Sequence, residues 1–174
     1  LTEKDPVIEE YTPEVQTQDY EYEFYFDNDV PGPRTASSTT TTEEYANTLS
    51  TYIAKKETYY NTADSDKKIQ VLQFFESFLI NGEGTNITEK KTQELVVKIK
   101  AALDKGATIN MKLVGSASAP NSVAYNDSLS KRRIDAVKKY LFSFFDLSKY
   151  EDRFSITEDP QGEQSTATPG GGEY

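Results

Sequence analysis

The chain has no cysteine, no histidine and no tryptophan, and a single methionine. Without Cys or His it can build neither a disulfide framework nor the usual sulfur and nitrogen metal sites. The same absences exclude a His general base and a Cys nucleophile. Apolar runs are short too, and none approaches the roughly 20 residues that a membrane-spanning helix needs. No positively charged, apolar leader opens the sequence, so Leu1 reads as the start of a mature or excised fragment. Basic residues are outnumbered, 19 Lys and Arg against 29 Asp and Glu, for a net charge of −10. A surface of that sign disfavours nonspecific binding to nucleic acid or anionic lipid.

What is present is enough for one ordinary domain with tails, since the chain has 174 residues and its apolar side chains come in clusters. Residues 1–19 are acidic and punctuated by proline, which predicts a linker or docking tail. From Tyr20 to Asp27 the aromatics Tyr20, Tyr22, Phe24 and Phe26 alternate with mostly polar residues, the period of a strand. One buried aromatic face explains that alternation more simply than a sugar-stacking platform. Pro31-Gly32-Pro33 must turn, and Thr42 is placed to cap a following helix. Helical spacing then recurs over about 43–60, 66–79 and 88–103, the last stopped by Gly106. Ile109, Met111 and Leu113 alternate as a strand over 108–114. A small-residue loop spans 115–120, a long helix about 121–145, and a strand 153–157. Residues 161–174 are polar and Gly-rich and are expected to be loose. Strands alternating with helices predict an α/β or α+β sandwich, one sheet, expected to be mixed, with helices packed on it.

One unbroken stretch carries a family signature. Gly115 ends a strand, a short loop follows, and Tyr125, Asn126, Leu129, Ser130, Arg132, Arg133, Val137, Tyr140 and Leu141 fall at fixed spacing. This resembles the OmpA-like domain, whose corresponding helix reads Tyr-Asn-x-x-Leu-Ser-x-Arg-Arg-x-x-x-Val-x-x-Tyr-Leu. Phe24, Phe26 and Asp27 are similar to the family's opening strand. The resemblance covers roughly residues 20–29 and 89–157 and implies a βαβαβ sandwich. The chain then divides into an acidic tail at 1–19, an OmpA-like domain at 20–160 with a helical insertion at about 36–84, and a C-terminal tail at 161–174. The insertion, together with the Gly-Ser-Ala-Ser-Ala-Pro loop, resembles OmpA-family proteins of the Bacteroidota.

What the resemblance implies is a noncatalytic module that grips the diaminopimelate stem peptide of peptidoglycan. It would anchor an outer-membrane protein or complex to the wall from the periplasm. In the family a guanidinium receives the ligand carboxylate, because its planar fork fits it bidentately. Arg133 falls on that position and Asn126 on the pocket Asn. The loop carboxylate that receives the ammonium falls on Ser118, a hydroxyl without compensating charge, so Asp27 is the expected substitute. Ser116 and Ser118 complete the pocket. Arg132 is expected at the surface, solvated or salt-bridged, and Asn126 also serves as a loop crosslink. No cofactor is implied. No Gly-rich phosphate loop, nucleophile elbow or metal constellation points to catalysis. The alternative is an OmpA-fold scaffold that has lost diaminopimelate and contacts envelope proteins instead.

Overall fold

The computed structural model describes residues 21–41, 44–117 and 121–163. The acidic tail, the Thr42 cap, Ser118 and residues 164–174 lie outside them. The chain is α+β, with five α-helices and a two-stranded parallel sheet among the described residues. The helices are α1 (Glu44–Ala54), α2 (Lys56–Thr62), α3 (Lys68–Phe74), α4 (Ile87–Asp104) and α5 (Val123–Phe144). The strands are β1 (Ile109–Ala117) and β2 (Phe154–Glu163). Among the described residues no helix is long and apolar enough to cross a membrane.

Local sequence explains most boundaries. The Asn86 side chain accepts the Glu89 N–H at 3.0 Å and starts α4, and Ser122 does the same for Tyr125 at the start of α5. Gly106, at φ +93°, closes α4 while Ala107 N–H reaches back to the Ala102 carbonyl. The expected helix over 43–60 is broken at Lys55 into α1 and α2. After α3 the chain widens into a π turn at Phe75–Leu79, where Ile80 N–H bonds the Phe75 carbonyl at 2.8 Å. Val71, Phe75 and Leu79 are all buried at a spacing of four. A plain α-helix repeats every 3.6 residues or so, and the wider turn offsets the drift of that stripe.

β1 and β2 run parallel from Ile109↔Phe154 to Gly115↔Pro160, with a register shift before Ala117↔Glu163. Both strands are longer than their alternation predicts: β1 takes in Gly115 to Ala117, and β2 continues to Glu163. Ile109, Met111 and Leu113 turn to the helices, whereas Asn110, Lys112 and Val114 face outward. Two clusters make the core. The larger gathers Tyr45, Leu49, Phe75, Leu79, Val137 and Tyr140, and the smaller Ile99, Leu103, Leu147 and Tyr150.

The expected first strand does not form among the described residues, so the sheet is neither mixed nor three-stranded. Residues 21–27 alternate sides as the sequence predicts. However, both sides are packed and the segment joins no ladder. Phe24 and Phe26 meet the Tyr45 ring at 5.6 and 5.0 Å, while Tyr25 lies against Phe74 at 5.1 Å and Phe78 at 5.3 Å. Aromatic packing onto two helical elements holds this segment in place of strand pairing.

Candidate functional site

α5 carries two adjacent arginines that organise the loop after Asp27. Arg132 is completely buried. Its Nε donates to the Pro31 carbonyl at 2.8 Å, and Nη1 donates to the carbonyls of Thr35 at 2.8 Å and Ser37 at 2.7 Å. Nη2 reaches the Tyr125 hydroxyl at 3.4 Å, and the guanidinium lies 5.4 Å from that ring. Arg133 is half-buried. It donates from Nε to Val30 at 3.0 Å, from Nη1 to Ser116 at 2.8 Å and from Nη2 to Asp27 at 3.2 Å, all main-chain carbonyls. Among the described residues neither guanidinium forms a salt bridge. The expectation that Arg132 lies at the surface is therefore overturned. Spacing held the clue, since Arg132 falls three residues after Leu129 and four before Ala136, within the buried stripe. A backbone cage of carbonyls satisfies its donors, which is how a buried cation is tolerated.

The loop can form this cage because it turns sharply, with Asp29, Gly32 and Arg34 all at positive φ. Gly32 is required on a second count. A Cβ there would meet Thr35 Cγ2 at 3.0 Å and Arg132 Nε at 3.4 Å. An open cavity of about 310 Å³ adjoins the loop, lined by Gly32, Thr35, Thr39, Thr40, Thr41, Glu44 and Arg132.

Arg133 retains binding capacity. A guanidinium has five N–H donors; among the described residues three are engaged, which leaves one on each terminal nitrogen, the number a carboxylate takes in a bidentate pair. Burial, and then the charge of Arg132, pull its pKa down to about 10, against the opposing charges of Asp29 and Asp27. It stays protonated at neutral pH.

Asp27 stands beside Arg133 but offers it only its main chain. Its carboxylate is nearly inaccessible and is bonded by Lys55 at 2.5 Å, by the Tyr59 hydroxyl and by the Asn28 N–H at 2.8 Å. Burial alone would raise its pKa, but the hydrogen bonds from Lys55, Tyr59 and Asn28 outweigh burial and hold it below the usual carboxylate range. Burial and the same carboxylate raise the Tyr59 phenol. Neither Lys55 nor Tyr59 carried a recognisable signal, because their role depends on the break between α1 and α2.

The remaining expected residues are partly brought together. Ser116 touches Arg133 through its carbonyl, and its side chain is exposed. Asn126 is fully buried two turns before Arg133 on the same face of α5, roughly 10 Å along the axis. Its Nδ2 donates to the Asn121 carbonyl at 3.3 Å, the loop crosslink expected of it, while its Oδ1 has no hydrogen-bond partner among the described residues. Ser118 lies outside the described residues. Among the described residues no cluster of acidic side chains could hold a metal ion.

No protein-family model, curated protein or solved structure matches this chain.

Proposed function

We propose that this chain is a noncatalytic, OmpA-like module that binds peptidoglycan stem peptides from the periplasm and anchors an outer-membrane protein or complex to the wall. The observation that carries the reading is Arg133, a half-buried cation that among the described residues has two uncommitted terminal N–H donors and no counter-carboxylate in contact. It bonds Ser116 near the carboxyl end of β1, the end at which open α/β sheets place their ligands. The β1–α5–β2 order and the tight strand-to-helix packing support this reading. Asn126 Oδ1, buried and without a partner among the described residues, is an acceptor on the same helix face. The test is retention on purified sacculi. Arg133→Ala should abolish it while the far-ultraviolet circular dichroism stays unchanged, and undiminished retention by that variant would refute the site.

A second reading has its own support. Each strand of the sheet has one neighbour, so among the described residues both outer edges are unpaired. A scaffold that accepts a partner's strand would use such an edge. It would bind envelope proteins and ignore muropeptides.

A further inference from the structure

A zwitterionic ligand needs an anion and a cation in one site, and the groups around Arg133 are unequally divided. The carboxylates whose charges act on its guanidinium are Asp29 and Asp27. Asp27 already holds an ammonium, that of Lys55, at 2.5 Å, and its side chain is only 5% exposed. An incoming amine could reach that carboxylate only by displacing Lys55. Asp29 accepts the Tyr125 hydroxyl at 2.5 Å, and that hydroxyl also receives Arg132. Arg132, Arg133 and Lys55 set against Asp27 and Asp29 leave one excess positive charge, in a chain whose net charge is −10. Such a cluster attracts an anion, and the carboxylate beside Arg133 is already paired with an ammonium.

We infer that the site binds a carboxylate, such as the C-terminal carboxylate of a peptide, and makes no use of a neighbouring ammonium, because Lys55 of the chain itself occupies the amine seat on Asp27. This rests on Arg133 being the ligand contact. Lys55 is then a specificity-determining residue contributed by the junction of α1 and α2. Because the seat is filled from within, the chain does not discriminate a free diamino-acid end from one whose amine is blocked.

The experiment is calorimetric titration of the full chain with two probes. One is the tripeptide L-alanyl-γ-D-glutamyl-meso-diaminopimelate, and the other is the same tripeptide acetylated on the distal amine. Wild type should bind both, with dissociation constants within about threefold. Lys55→Met empties the seat on Asp27 and should favour the free amine by about tenfold or more, whereas Lys55→Arg should show no such preference. A tenfold preference for the free amine in wild type would overturn the inference while leaving Arg133 as the ligand contact. Equal binding of both probes by Lys55→Met would also overturn it, since Asp27 would then not be the amine seat. Binding of neither probe, with no retention on sacculi, would remove the wall-binding reading and this inference with it.

Discussion

Gly115 in β1 and Ser130 in α5 approach so closely that a methyl group on Gly115 would stand 2.5 Å from the Ser130 carbonyl oxygen. Ile134 Cγ1 would lie at 2.7 Å. The strand and helix that position Arg133 are thus held at a separation only glycine allows, and the next residue, Ser116, bonds Arg133 directly.

Gly115→Ala should therefore destabilise the domain by about 1–3 kcal/mol, the usual cost of overpacking. It should also weaken sacculus retention by shifting Ser116 against Arg133. Urea unfolding and a pull-down on the same preparation test both effects, and wild-type behaviour in both would mean that the strand-to-helix contact relaxes freely.

The two arginines should separate in a stability assay. Arg132→Met removes every donor from a buried cage and should cost about 3–5 kcal/mol, because the carbonyls of Pro31, Thr35 and Ser37 lose their partner. Arg133→Met should cost about 1–2 kcal/mol, since water can reach the groups it leaves. Equal losses, read from urea midpoints, would contradict the difference in burial.

Asn126→Leu is expected to be neutral or to stabilise by up to about 1 kcal/mol, because an unpartnered buried oxygen is replaced by carbon. The same change should reduce retention on sacculi if Oδ1 receives a ligand N–H. A marked fall in melting temperature would instead show that the bond to Asn121 is what matters.

Acid should unfold the domain through Asp27 and Asp135. Both are held below the ordinary carboxylate range: burial opposes ionisation in each, but Lys55 and Tyr59 outweigh it at Asp27, and Lys139 and Thr40 at Asp135. A carboxylate whose folded pKa is depressed contributes stability that is present above its unfolded value, about 3.9, and lost as pH falls through the folded value. Stability from these groups should be level between about pH 5 and 7 and decline below about pH 4. Asp27→Asn should flatten part of that decline in urea titrations from pH 3 to 7, and an unchanged slope would exclude Asp27 as a source.

The helices, both strands and most of the core were legible in the sequence. Periodicity placed α4, β1, α5 and β2 because their apolar stripes are long or their alternation is clean, and Gly106 marks a local boundary by backbone chemistry alone. Leu129, Val137, Tyr140 and Leu141, which the family signature picked out, lie in the core. Arg133 and Asn126 stood out only through the resemblance to the OmpA-like helix. What spacing could not supply was the environment of a charge. Arg132 and Arg133 are chemically identical neighbours, and only the loop over 27–37 makes one a buried strut and leaves the other partly open. The sequence by itself determined which segments coil or extend and which residues can carry charge, because those follow from local propensity and the polarity period. Tertiary structure alone decided that Lys55 meets Asp27 across 28 positions, and that the alternating aromatics of 21–27 pack between helical elements instead of joining the sheet. Ion pairing and ladder formation depend on what distant segments bring into reach, and a linear pattern does not encode that distance.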